Sequence, residues 1–503
     1  VRDRAALADA ARAGSVTRAV AAAACRSSVR HLENALGSRR RLILALTAVA
    51  AMLLIGELVI AGQLHAAVGE LLRAATGLSS SQHEHVVGVF VASAVTTSAA
   101  FALLLVMVIP PHSRIALAAV VAGAPRSAVA VGEFVPTAVA VLVVTALVGA
   151  APILAVAASQ PAPAATALAL VFASAAFAFL VLAVRGAVIA ALQCARVADV
   201  PARAVGSLVS VTGFGLLLAD LLAAATAGRP SIAVQAFALL WRGRSIPDSW
   251  LDVVGGAAAC FVALASAVGA TALGGGAQPL TVGARLIPLR ADHGGGFWSA
   301  ALREAMLHLR HPVTTISLAT LLVLIAATAV GVRAGVLPAP AAAVLCALLC
   351  ASGAETAPGR TRAWGWVRTV AAESVATRVL AQLCGVAVVQ GLVFVVALVA
   401  VVPADELASV VPPALPLFAV LMVLAYLAGA VLPYSEHAPV GAAATTGLVL
   451  AAELGWLFAD GGVGLLGEPA SWLRPVLQAG VTLGGVLASI ALVRRDESRL
   501  WGA

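Results

Sequence analysis

The residues able to do chemistry in this chain are few, and most of them stand where charge is costly. Glu57, Glu133, Arg185, Asp220, Glu373, Arg378 and Glu453 each fall within or at the end of a long apolar run. An ionisable group at the centre of a bilayer costs roughly 2.5–3.5 kcal/mol on the insertion scale, and where it is kept it faces the protein interior or water. Glu133, Glu373 and Arg378 sit near the ends of their runs, where a side chain snorkels to the interface or pairs locally. Asp220 and Glu453 lie deeper, about two-thirds of the way along their runs. These two are the candidates for lining a pathway, although the same positions also suit bundle packing.

Other chemistries are poorly provided for. The chain has no lysine, so a phosphate-cradling Gly-rich loop would lack its essential Lys. It does not hydrolyse ATP in that manner, and energy for any work must come from a partner chain or an ion gradient. His65, Glu70, His83, Glu84 and His85 crowd one loop but lack the spacing of a fixed metal site. Glu70 and Glu84 are too far apart to serve as the paired acids of a membrane glycosyltransferase. The six cysteines follow neither disulfide nor zinc spacing, and Cys346 with Cys350 is an i, i+4 pair of packing thiols on one apolar helix face. No catalytic set, metal set or cofactor motif emerges, and the chain does not read as an enzyme.

The elements that must position these groups are membrane helices. Hydrophobic residues make up 62% of the 503, charged residues only 11%, and mean hydropathy is +1.03. A soluble domain needs about 25% charged residues to cover its surface. A span needs about 20 largely apolar residues, and runs of that length lie near 42–62, 86–109, 129–157, 162–184, 204–227, 251–273, 313–333, 336–353, 375–402, 412–433, 439–459 and 475–493. Helices satisfy the backbone in lipid, and no alternating barrel pattern is present. The expected fold is an all-α polytopic membrane protein of about 12 transmembrane helices in two pseudo-symmetric six-helix halves.

Charge gives that map a direction. An even number of spans places both termini on one side, and 25 of the 31 Arg fall there. By the positive-inside rule that side is cytoplasmic, which predicts a multi-pass protein of the cytoplasmic (inner) membrane. The isoelectric point near 10.1 then reflects topology and contact with anionic lipid, not nucleic acid. Residues 1–41, rich in Arg and Ala, are too long and too charged for a secretory signal and read as a cytoplasmic interfacial segment.

The order of elements repeats. Pro111, Ala124 and Ser127 fall on Pro358, Ala371 and Ser374 at one constant spacing, each set following a span and preceding a long one. Further on, Asp220 falls on Glu453 in the fifth span of its half. Halves at 42–273 and 297–503 with the same orientation imply an axis along the membrane normal. Between them, 274–296 is a cytoplasmic linker bounded by glycine triplets. Residues 297–312 (FWSAALREAMLHLRHP) place Trp298, Leu302, Met306 and Leu309 on one helical face and Arg303, Glu304, His308 and Arg310 elsewhere, the pattern of an interfacial helix.

An interfacial helix of the form LREAMLHLRHP, a short segment between the second and third spans, and six spans per unit together resemble the permeases of ATP-binding-cassette exporters of the type-two class, in the variety with two units fused. Residues 355–378 (ETAPGRTRAWGWVRTVAAESVATR) carry the likeness best, and 111–133 are a fainter counterpart. The resemblance implies a membrane permease energised by a separate cytoplasmic ATPase, in two copies. It also implies coupling segments at 111–128, with Arg114 and Arg126, and at 358–374, with Arg360, Arg362, Trp364, Trp366 and Arg368. These Arg equally suit a purely topological role, while Trp-x-Trp between Arg residues favours a contact surface. The first-half segment lacks aromatic residues, which implies unequal docking. The other open reading is an ion-coupled secondary transporter or lipid-linked glycan flippase.

Overall fold

The computed structural model describes residues 2–36, 38–40, 42–43, 47, 80–108, 114–158, 160–227, 230–244, 246–277, 296–335, 337–362, 374–433, 439–464 and 472–501. Among them there is no strand. The chain is an all-α polytopic membrane protein. Eight helices among the described residues are long and apolar enough to cross a membrane, and the apolar stretches His85–Thr96, Thr320–Arg333 and Ala444–Leu457 are shorter. The span expected at 42–62 lies outside the described residues, apart from isolated positions.

The chain divides into two compact units, residues 1–27, 43–107 and 112–282 in one, residues 28–42, 108–111 and 283–503 in the other. The first opens with residues 2–27 of α1 (Arg2–Leu36) and continues through α2 (Ser80–Val108, but for its last residue), α3 (Arg114–Val121), α4 (Arg126–Val148), α5 (Ala150–Ala157), α6 (Pro163–Cys194), α7 (Asp199–Ala227), α8 (Ile232–Leu240) and α9 (Trp250–Ala277). Its α6 packs along α9 and beside α7, and α4 packs on α9. Small residues permit this: a Cβ on Gly256 would stand 3.2 Å from the Ala169 carbonyl, and one on Gly186 would stand 3.0 Å from Ala270 Cβ. Small faces drive helix association in lipid, where apolar burial alone gives no net gain.

The second unit runs through α10 (Phe297–Arg310), α11 (Pro312–Arg333), α12 (Ala339–Ala351), a 3-10 turn (Ser352–Glu355), α13 (Thr356–Arg362), α14 (Val375–Val401), α15 (Leu407–Val431), α16 (Pro439–Gly464) and α17 (Leu473–Trp501). Here α15 packs along α17 and beside α16, and α14 packs on α17. In this unit α10 also packs on α14 and α12 on α15. The core of this unit includes Cys346 and Cys350, both fully buried, with the stacked rings of Phe394 and Phe418. Phe261, Leu392 and Leu483 are 73%, 67% and 63% exposed, as befits residues facing acyl chains rather than water.

One expected span differs. The long run at 129–157 is two helices, α4 and α5, parted at Gly149, where a Cβ would stand 2.6 Å from Ser98 Oγ of α2. The apolar run gave no sign of this, because a close approach by another helix leaves the run's hydropathy unchanged. A second difference concerns α10. Its outward face carries Trp298 (76% exposed) and Leu302 (61%), as the pattern predicts, but Glu304 and His308 on the opposite face are fully buried within the protein.

Candidate functional site

The polar side chains of the second unit converge on one small turn. Gly385 of α14 lets α10 approach closely, since a Cβ there would lie 2.5 Å from the Ala301 carbonyl and 2.8 Å from Ala305 N. Ala301 and Ala305 are the small residues opposite, and together they bring the polar face of α10 onto α14. One turn further along, the Gln390 amide and the His308 ring meet at 2.9 Å, Nε2 to Nε2. The same Gln390 amide fills the space a side chain at Gly353 would occupy. Gly353 belongs to the 3-10 turn that ends at Glu355.

Glu355 is pressed into the bundle from the other side. Gly429 of α15 lies directly against the Glu355 backbone, so no larger residue fits at that point. The Glu355 carboxyl accepts a hydrogen bond from Thr446 Oγ1 of α16 at 2.9 Å, and its Oε2 has no partner. Two helical turns beyond Thr446, on the same face, Glu453 is fully buried with both carboxylate oxygens unpartnered. It is near enough to Glu355 for the two charges to act on each other. Beside them the Tyr426 hydroxyl donates to Gln382 Oε1 at 2.6 Å.

Acidic groups in the first unit are treated differently. Asp220 of α7 is half-buried, accepts from Ser231 Oγ at 2.7 Å and from Ala233 N at 3.2 Å, and so closes the N-terminus of α8. Ser231 itself accepts from Val234 N at 3.1 Å. A carboxylate there satisfies orphan N–H groups and suits the positive end of the helix dipole. Asp252 forms a capping box at the start of α9, accepting from Ser249 N at 3.1 Å and Asp248 N at 3.0 Å, while Arg242 Nε reaches its Oδ1 at 3.1 Å. Arg185 donates to Ser207 Oγ at 3.2 Å. Back in the second unit, Asp460 is held by Arg474, with Nε to Oδ1 at 2.8 Å.

The candidate coupling residues are placed unevenly. Arg114 opens α3 and the exposed Arg126 opens α4. Between them Gly123, at φ +87°, ends α3 with the Ala124 N–H donating to the Ala119 carbonyl at 2.9 Å. The N-terminal helix lies on this corner: Thr17 Oγ1 donates to the Ala128 carbonyl at 3.1 Å, and Val16 and Val20 pack with Ala119, Val120, Ala124 and Val129. Arg360 and Arg362 fall in α13, and Ser374 caps α14 by accepting from Thr377 N at 3.0 Å. Trp364, Trp366, Arg368 and Glu373 lie outside the described residues, as do His65 and Glu70.

Sequence reasoning singled out Glu453 but missed Glu355, Gln390 and Tyr426, and it put Glu304 and His308 on a face with no assigned partner. One signal was available. Thr446 and Glu453 are spaced by two turns on an apolar helix, which marks a single polar stripe. No protein-family model, no curated protein and no solved structure matches this chain.

Proposed function

We propose that the chain is the membrane permease of an ATP-binding-cassette exporter of the type-two class, energised by two copies of a separate cytoplasmic ATPase. It is not itself an enzyme, and it sits in the cytoplasmic membrane with both termini on the cytoplasmic side, as its Arg distribution favours. The observation that carries this reading is the helical elbow at which the short α3 ends at Gly123 before α4, with Val121, 81% exposed, and the exposed Arg126 and Ser127 on the part of the corner that α1 leaves open. A short helix bounded by Arg and projecting from a bundle is the form of element through which an ATPase would push on spans. By the sequence spacing, residues 358–374 would be its counterpart.

A specific observation favours a second reading, an ion-coupled transporter or flippase. Buried carboxyls that keep unpartnered oxygens, one on Glu355 and two on Glu453, are the kind of groups such carriers use. One experiment separates the two. The full-length chain is reconstituted in liposomes with a candidate ATP-binding-cassette ATPase, and ATP hydrolysis is measured with and without the chain. The exporter reading expects stimulated hydrolysis that falls at least about tenfold in the Arg362→Glu, Arg368→Glu double variant, on the scale of a lost contact hot spot, while the variant still inserts. Substrate movement driven by an ion gradient with no ATPase present overturns it.

A further inference from the structure

We propose that the Glu355 and Glu453 carboxyls, with the Thr446 hydroxyl, form a buried site that binds one monovalent positive charge, taken from water as a proton or as an alkali-metal ion. The site lies wholly within the second unit and does not depend on the exporter reading.

The argument begins with what is missing around these groups. Glu453 is 0% exposed, neither of its oxygens has a hydrogen-bond partner, and no cation is paired with it among the described residues. Glu355 is 4% exposed and uses one oxygen, on Thr446. Two carboxylates in an apolar bundle lose their hydration and repel each other, so both do not stay ionised without a positive charge between or beside them. Packing alone is a poor reason to keep them, since a Leu at either place would fill the volume with no polar atom to satisfy. The geometry also supplies ligand atoms: three unpartnered carboxylate oxygens and one hydroxyl oxygen, all hard donors of the type that bind a proton or an alkali ion.

A buried polar line lies on the other side of the turn. His308 and Gln390 are in contact, and Gln390 abuts Gly353, two residues before Glu355. Polar atoms thus run from α10 through α14 to the turn. The remaining titratable or charged groups on elements packed against that turn are Cys346 and Cys350 on α12, Arg360 and Arg362 on α13, Arg378 and Cys384 on α14, Tyr426 on α15 and Asp460 on α16. Asp460 is neutralised by Arg474, and Tyr426 donates to Gln382, so neither is bonded to the pair.

The sign of the pH effect follows directly. When the charge is a proton, the folded chain binds more protons than the unfolded one, and stability falls as pH rises above the ordinary range of a free carboxyl, about 4.3. When it is an alkali ion, stability rises with that ion at fixed pH by mass action. The experiment uses the full-length chain in lipid nanodiscs, with Na+, K+ or choline chloride at equal ionic strength, from about pH 5 to about pH 8. The alkali-ion arm expects the unfolding midpoint to rise by about 2 °C or more in Na+ or K+ over choline. The proton arm expects a similar fall between the lower and the higher pH, the same in all salts. Either response should vanish in Glu453→Gln and in Glu355→Gln, and should persist in His308→Gln, which removes the imidazole that Gln390 contacts. Infrared spectra of the wild type serve should a variant fail to insert: a protonated-carboxyl stretch present at neutral pH, or its replacement by alkali ion, is the expected result. Salt and pH profiles shared by wild type and both Gln variants, or a wild type with neither the protonated-carboxyl band nor any alkali-ion response, overturn the site.

Discussion

Asp252 and Glu453 occupy opposite kinds of environment although both are buried in apolar helices. Asp252 accepts from two backbone N–H groups, a serine and Arg242. Glu453 accepts from nothing. The same contrast holds for the pair first linked by the repeat: Asp220 closes the end of α8, whereas Glu453, its counterpart, points into a packed bundle beside Glu355. A repeat fixes where an acidic residue falls along a helix. It does not fix what meets it: Asp220 is built into a helix end, whereas Glu453 has no hydrogen-bond partner.

The largest expected effect comes from the architectural side. Asp252→Ala removes the capping box of α9 and leaves Arg242, itself in the left-handed region at φ +56°, without its main partner. Loss of the cap costs about 1 kcal/mol, and because Arg242 is 48% exposed and also approaches Asp248, its lost ion pair adds up to about 1 kcal/mol, so a destabilisation of roughly 1–2 kcal/mol is expected. By contrast Glu453→Leu should leave stability unchanged or raise it, because it removes polar atoms that nothing satisfies. Thermal unfolding of both variants in one detergent checks the pair. Equal losses in the two would erase the distinction between the halves.

How much of this was readable in the sequence depends on distance along the chain. The spans were legible because their apolar length is a local property. The cap at Ser231 and the box from Ser249 to Asp252 were equally local, but the apolar context drew attention to Asp220 as a pathway residue instead. Glu355 was not legible, because it stands where an apolar run gives way to an Arg-rich segment and looks like the start of a loop. Its burial comes from Gly429, a residue on a helix two spans later that lets α15 settle against the turn. The close approach of Ser98 of α2 to Gly149 was hidden for the same reason. The polar face of α10 was visible as a pattern, but its direction was not. Only Gly385 on α14 explains why Glu304 and His308 turn inward.

An intermediate effect sharpens the comparison at the repeat-equivalent positions. Asp220→Asn keeps the shape but weakens acceptance from Ser231 and Ala233 and removes the favourable charge at the α8 N-terminus, for an expected loss of about 1 kcal/mol. Combined with Glu453→Leu, the loss should be no greater, because the second change costs nothing. Should the chain prove to export, the double variant ought to alter export through Glu453 alone, so that Asp220→Asn by itself matches wild type per inserted molecule. Altered export in the Asp220→Asn single variant would instead return that residue to the pathway.

The smallest expected effect tests the N-terminal corner, where the two halves differ again. In the first unit the elbow at α3 and α4 is partly covered by α1, whose Thr17 donates to the Ala128 carbonyl and whose Val20 is buried against Val129. A Cβ on Gly132 would stand 2.8 Å from the Thr17 carbonyl, so the two helices meet with no room between them. Thr17→Val keeps the volume and removes a single hydroxyl proton, which the Ala128 carbonyl shares with the Ala13 carbonyl of Thr17's own helix at 3.0 Å. The expected change in global stability is therefore about 0.5–1 kcal/mol. Local opening should rise more plainly than global unfolding, because α1 is a peripheral element held by few buried side chains. Limited trypsin digestion at Arg18 and Arg26, both exposed, reports it: cleavage a few times faster in Thr17→Val than in wild type, with the spans intact, is the expected outcome. Unchanged cleavage would mean that α1 is held by Val20 and its neighbours alone. The hydrogen bond to the elbow would then contribute nothing to how the first half presents its corner.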